Sequence, residues 1–400
     1  MWTVKASSPD STLLSPLSRL FPIILAWFLT RIYLLLWLAY HPPNNADAEL
    51  YADWAQIILT GAFPTAGNGW QYPPLYGVPV AALGLAPFHV AIALVILGLV
   101  LDALIVTFLV AASRRASATV IGVWAWILGG VAIGPLLFET LDLVPTVFSV
   151  AGLYFVVTHR LRLSGAMIGL GIASKLWPVV LLAGWRRADL RRTIVWVVST
   201  VLVVTVVLSL IIDGAWVFLT NQGGRGLHIE SVAASPWLLL EFAGQTQAID
   251  DRFGSIDFMG SAPRAAGLAA TVIGLVAIAL VAWERYRGRL ATLPPADISF
   301  TVLLVLVVTS RINSPQFIVW LVAVGAFALT NRESRMFTPF FLVFLAAFMT
   351  QGVIAFYDSF MQVQALPLLA HGLRVLLLVS ACGLALLQVL QSRRQSAQQV

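Results

Sequence analysis

Residues 20–40 read LFPIILAWFLTRIYLLLWLAY, and residues 44–74 follow as NNADAELYADWAQIILTGAFPTAGNGWQYPP. The first run has the length and apolarity of a helix that crosses a ~30 Å hydrocarbon core. The second changes character at once. Asp47, Glu49 and Asp53 fall close together there, in a chain with only 18 acidic residues, beside Tyr51, Trp54, Trp70 and Tyr72. Such aromatics suit a membrane surface or a sugar ring equally well. The pair of segments sets up a membrane helix that opens into a carboxylate-bearing, aromatic loop punctuated by Gly and Pro.

The rest of the chain agrees with that start. It has 400 residues, 60% hydrophobic and 10% charged, where soluble domains run near ~25% charged. The composition predicts an all-α polytopic integral membrane protein, a single transmembrane helix bundle over residues 1–400. The first apolar run reads as a retained span rather than a cleaved signal peptide. The net charge of +6 comes from arginines, Lys5 and Lys175 being the two lysines. No continuous basic surface for nucleic acid is present. One cysteine, Cys382, excludes an intramolecular disulfide and a cysteine-built metal site. No histidine spacing suggests a metal, and no Walker loop, GxGxxG or Ser-His-Asp signature appears.

Arginine clusters predict the topology. Lys5 and Arg19 precede the first span, which puts residues 41–74 outside and leaves room for a short helix over 48–60. Pro79 and Pro87 break the apolar region 75–113 into a short outer segment and a full span over 89–113. Spans over 118–137, 141–159, 190–212, 265–283, 336–355 and 367–390 follow, with a second external loop over 213–262 that carries Asp250, Asp251 and Asp257. Two segments resist a simple count. Residues 163–185 and 298–330 each lie between arginine clusters that belong on the same side. SKLWP in the first and SRINSPQ in the second allow half-length helices that enter and return, interrupted near 175 and 313. Interruptions inside a membrane survive where protein or a watery cavity satisfies the backbone. The competing reading is that the arginine bias fails at these two places.

Several residues are candidates for chemistry. Asp47 is either a general base or the N-cap of the helix that follows it. Lys175 lies far from both ends of an apolar segment, where a charge needs a cavity or a partner. Arg311 repeats the argument in the second interruption, and two cations from two breaks suit a phosphate. Asp142, in FETLDLVP with Glu139, either caps a helix or faces the cavity. Arg225, His228 and Glu230 form a compact polar group in the second loop, suited to a hydroxylated acceptor or a phosphate.

The run D-A-E-L-Y-A-D-W (47–54), then G-A-F-P (61–64) and W-Q-Y-P-P-L (70–75), resembles the first external loop of the GT-C polyprenyl-phosphate-dependent glycosyltransferases, and family 87 in particular. D-L-V-P (142–145), G-I-A-S-K-L-W-P (171–178), R-G-L-H-I-E-S (225–231) and S-R-I-N-S-P-Q-F-I-V-W (310–320) continue the likeness in order. The resemblance implies a GT-C transmembrane bundle with its active site on the extracytoplasmic face. It implies Asp47 as catalytic base and Lys175 as a contact to the donor phosphate. Arg311 stands where the family often has lysine. Tyr51, Trp54, Tyr72, Asp142, Arg225, His228, Glu230 and Gln316 then become candidates to position substrate. The donor would be a polyprenyl-phosphate sugar, typically mannose, and the acceptor a glycolipid or glycan, with no further cofactor. Interrupted helices with midplane charges also occur in lipid transporters and flippases, although paired inverted halves are not evident. A polymerase or ligase of lipid-linked glycans would share the donor chemistry.

Overall fold

The computed structural model describes residues 16–40, 46–65, 69–221, 225–250 and 256–398. Lys5, His41 and Asp251 lie outside these residues, as does the side chain of Arg19.

Helix length sorts the bundle into two layers. Among the described residues, six helices are long and apolar enough to cross a membrane. Numbered in chain order, they are α1 (Pro16–Tyr40), α4 (Val90–Ser113), α9 (Arg187–Ile211), α12 (Ser261–Tyr286), α15 (Phe337–Ala355) and α17 (Ala365–Gln398). They show large apolar side chains such as Phe28, Leu202, Val203 and Ile273 on their outer faces, as lipid-facing helices do. Between them lie α5 (Ile121–Ile133), α7 (Leu143–Val157), α8 (Leu161–Ser174), α13 (Pro295–Thr309) and α14 (Phe317–Ala328). At 1.5 Å per residue these reach only ~20 Å, short of the hydrocarbon thickness. They are apolar nearly all round, and almost every residue of α14 is buried, as a helix enclosed by others should be.

Both expected interruptions are present. Helix α8 stops at Ser174, Lys175 is extended (φ −156°, ψ 136°), and a 3-10 helix follows over Trp177–Gly184. The chain then starts α9 at the end where α8 began. Gly165 lies against Thr193 and Val197, and Gly169 against Val197 and Thr200, so α8 and α9 run parallel. Two small residues four apart let the backbones approach this closely. Between α8 and α9 the chain has therefore turned back, which keeps both arginine clusters on one side. Helices α13 and α14 form the second return: Gly325 on α14 faces Phe300 on α13. Asp297 accepts from Ser334 Oγ at 2.8 Å and from Arg335 N at 2.9 Å, so the two ends of this hairpin also lie together.

Some boundaries differ from the sequence reading. Pro79 lies in the first turn of α3 (Gly77–Gly84), where its missing N–H costs no helix bond. The break falls at residues 85–89 instead. The expected span 118–137 is the short α5 followed by α6 (Leu136–Glu139). The short first-loop helix is present as α2 (Ala46–Leu59). The loop 213–262 holds more structure than its polar sequence suggests: α10 (Val217–Asn221), α11 (Ser235–Phe242) and a small antiparallel sheet of β1 (Leu227–His228), β2 (Ile249–Asp250) and β3 (Asp257–Phe258) in the order β1-β3-β2. A further helix, α16 (Tyr357–Met361), joins α15 to α17.

One buried ion pair ties three helices. Asp102, the single charge of α4, accepts from Arg31 Nε (2.8 Å) and Nη2 (2.9 Å), Trp27 Nε1 (2.6 Å) and Trp126 Nε1 (2.7 Å). Arg31 Nη1 also donates to Ile127 O at 2.9 Å. Both charged groups are thus hydrogen-bonded, which a buried pair requires. We expect Asp102→Ala, which strands the Arg31 guanidinium, to cost about 3–5 kcal/mol of stability. An Arg31→Met/Asp102→Leu double variant should lose much less. Thermal unfolding in detergent would check both.

Candidate active site

The two returning hairpins meet at their interruptions. Lys175 Nζ donates to Asp142 Oδ1 at 2.8 Å, and Trp320 Nε1 donates to the same oxygen at 2.7 Å. Trp320 stacks on Trp177 (4.9 Å, 14°) and on Phe317 (3.9 Å, 22°). The first interruption is thereby packed directly on the second. Lys175 Nζ lies 4.9 Å from the Trp320 ring, 5.1 Å from Tyr72 and 5.5 Å from Phe317, an aromatic cage for its ammonium. Asp142 sits just before α7 but makes no capping bond. The cap reading is not met, and the carboxylate pairs with the lysine. Its second oxygen, Oδ2, is buried with no protein donor among the described residues.

Asp47 joins this centre from above. It lies in the first turn of α2, beside the helix start it was read as capping, with Glu49 in the same turn. The residue as a whole is exposed. The surrounding protein and the charge of Asp142 nevertheless raise it to about 6, with Lys175 acting in the opposite sense. Glu139, at the end of α6, is raised to about 7 by burial and then by Asp47. It is a third carboxylate at this face, which the sequence offered only as a possible cap. Asp53 points to solvent, as its helix position suggested.

The aromatic residues of the first loop divide by role. Tyr51, Trp54 and Trp70 are buried and pack edge-on as the loop's own core, with Trp54–Trp70 centroids 5.2 Å apart. Tyr51 and Trp54 therefore support the site from behind. Tyr72, half-buried against Tyr76 (4.2 Å), is the ring that faces Lys175.

Gln71 and Tyr72 connect two cationic groups. Tyr72 covers Lys175, while Gln71 Oε1 accepts from Arg225 Nη1 at 3.2 Å. Arg225 Nε lies 3.7 Å from Asp257 Oδ2, and its carbonyl accepts from Arg311 Nη1 at 3.3 Å. Arg311 accordingly gathers with Arg225 rather than stacking directly on Lys175. The polar group 225–230 divides at this point. His228 and Glu230 turn toward α17, where Glu230 pairs with Arg374. Burial, then Arg225, Arg374 and His371, push His228 down to about 3, so it is neutral, with Nδ1 accepting from Glu230 N at 3.2 Å. Gln316 is half-buried at the start of α14, next to Phe317.

Sequence reading passed over Arg374, Trp320 and the Arg31–Asp102 pair. A lone charge in an otherwise apolar span was the available signal for Arg31, Asp102 and Arg374. Among the described residues no group of three His, Cys, Asp or Glu side chains could hold a metal ion.

Trp320→Phe should keep the stack but remove a donor to a buried carboxylate. We expect a stability loss of about 1.5–3 kcal/mol, read as a lowered thermal midpoint, with the loss absent if Asp142 is already Asn.

The geometry can be set beside known proteins. No curated protein and no solved structure matches the chain. The family model for glycosyltransferase family 87 matches residues 70–315, more than half of the 400 residues. That segment holds Tyr72, Glu139, Asp142, Lys175, Arg225 and Arg311, and begins after Asp47. The chain is a membrane protein by its helices, and it belongs to glycosyltransferase family 87.

Proposed function

We propose that this glycosyltransferase moves a sugar, mannose, from a polyprenyl-phosphate donor to a hydroxyl of a glycolipid or glycan acceptor, with inversion at C1. One observation carries the reading: Asp47, Asp142 and Lys175 share one polar centre where the two interrupted hairpins meet beneath the first loop. A base, a cation and an aromatic wall at the end of a lipid-facing bundle suit a reaction between a lipid-borne phosphate and a hydroxyl.

In this mechanism Asp47 removes the proton of the acceptor hydroxyl. The acceptor oxygen bonds to C1 of the sugar as the C1–O bond to the phosphate breaks, and polyprenyl phosphate leaves with the electron pair. A base placed this way contributes ~10²–10⁴ in rate. Lys175, and Arg311 with Arg225, offset the charge that grows on the departing phosphate, an effect that strengthens where water is excluded. Asp142 holds Lys175 in place, and its free Oδ2 would accept a substrate hydroxyl. Tyr72 and Gln316 border the same space, and His228 and Glu230 fasten the second loop behind Arg225. The lipid-linked sugar is itself the activated donor, so no cofactor is invoked. The arginine-rich ends of the hairpins lie away from the site, and the positive-inside rule supports an extracytoplasmic site for the chemistry.

Purified protein given radiolabelled polyprenyl-phosphate mannose and membrane lipids should form labelled glycolipid. Movement of the donor lipid without product would refute the reading and favour transport. Asp47→Asn should reduce transfer by ~10²-fold or more while the thermal midpoint and donor binding hold; full activity would remove Asp47 from the role. The base form of Asp47 is complete above its pKa of about 6. Transfer should therefore fall as pH drops through 6, by about tenfold per unit. Asp142→Asn removes the negative neighbour and frees Lys175, both of which lower the Asp47 pKa, so the acid limb of residual activity should move to lower pH.

A further inference from the structure

One described cleft is far from the chemistry and has no part in it. It is a space of about 640 Å³ at the arginine-rich end, between the starts of α8 and α9. Arg160, Arg162, Arg191 and Arg192 line it, together with Trp196 and Leu163. The four arginines come from two clusters far apart in sequence, and the return after Lys175 brings them together. No carboxylate lines the cleft, and none of the four arginines is in an ion pair among the described residues. Two have other contacts: the Arg162 guanidinium lies 5.5 Å from the Trp196 ring, and Arg191 donates to Tyr286 Oη at 3.4 Å.

We propose that this cleft binds the headgroup of an anionic phospholipid, and prefers one with two phosphates. Four guanidiniums facing one space without a countercharge repel one another, and a phosphate diester relieves that repulsion through paired N–H···O bonds. One phosphate would leave several of the four uncompensated, which is the reason for the preference. The apolar side of the cleft distinguishes a lipid from free phosphate. Leu163, Val195 and Trp196 are exposed, and the outward face of α9 continues through Val198, Leu202 and Val206. Acyl chains have a track down the bundle from the headgroup position, and Trp196 is the kind of side chain that settles at membrane boundaries. Basic pockets between transmembrane helices bind such headgroups. The 14 residues of α8 separate this site from Lys175 by ~20 Å, so it does not depend on the donor assignment.

The test is native mass spectrometry of the purified protein with defined lipids: phosphatidylcholine, phosphatidylglycerol or cardiolipin. The protein should retain cardiolipin more strongly than phosphatidylglycerol and phosphatidylglycerol more strongly than phosphatidylcholine. Replacing all four arginines with Gln should abolish the preference, while each single Arg→Gln weakens retention about fivefold. The single variants carry the test if the fourfold variant does not fold. Arg114→Gln/Arg115→Gln, which removes charge near the same end but outside the cleft, should leave retention unchanged. An equal loss in that control would reduce the effect to general surface charge and overturn the site. Inorganic pyrophosphate in place of lipid should compete weakly. Binding of pyrophosphate as tight as cardiolipin would overturn the lipid assignment.

Discussion

A lysine and an aspartate in the interior of an oily bundle must find each other, and much of the architecture follows from the pair Lys175–Asp142. Each charge alone would cost several kcal/mol to keep away from water. Together, with Trp320 as a second donor to the carboxylate, they are held. Meeting the requirement needs α8 to stop at Ser174, because a continuous helix would carry Lys175 past the turn that precedes α7. It also needs α14 to begin close by, so that Trp320 reaches Asp142. The interruption of both hairpins is thus coupled to one ion pair, and the polar space it opens is available for substrate.

The other buried pairs do different work. Arg31–Asp102 is closed, with every carboxylate oxygen engaged by Arg31, Trp27 or Trp126, and it joins α1, α4 and α5. Glu230–Arg374 fastens the second loop to α17. Among the described residues Asp142 at the site keeps an unengaged oxygen, and so does Glu230; what sets the site pair apart is that Lys175, beyond its bond to Asp142, rests among rings. A cation held largely by soft, non-directional contacts can shift toward an arriving anion at modest cost.

Much of the fold was legible along the chain. Hydrophobic runs located the six long helices within a few residues at most ends, and the arginine clusters pointed to returns near 175 and 313, with a failure of the arginine bias as the competing reading. One proline was misread as a break: Pro79 sits harmlessly in a first turn, whereas Pro87 lies in the break at 85–89. The strands of the second loop were invisible because two-residue strands have no periodicity to detect. Among the candidate site residues, Lys175 and Arg311 stood out as charges where charges are costly, and Asp47 by its place in a cluster of carboxylates and aromatics. Arg31 and Asp102 met the same criterion and were overlooked, being single charges inside runs that otherwise passed as plain spans.

Residue types and their order by themselves determined that this is a polytopic helical membrane protein, where its helices break, and which family motifs it carries. Those properties depend on local chemistry: apolar length, proline, and the side on which arginine remains. Pairing depended on something else. That Lys175 meets Asp142 rather than Arg311's neighbours, that Tyr51 and Trp54 form the core while Tyr72 faces the lysine, and that Glu230 pairs with Arg374 were decided only in three dimensions. Each is a choice among partners distant in sequence. In a packed apolar interior that choice is made by which buried polar atoms can satisfy one another, a constraint that acts across helices and leaves no period in the sequence. The opening loop shows the division most plainly: its acidic and aromatic composition marked it as a candidate, and the tertiary structure brings Asp47 and Tyr72 of it near Lys175 and Asp142.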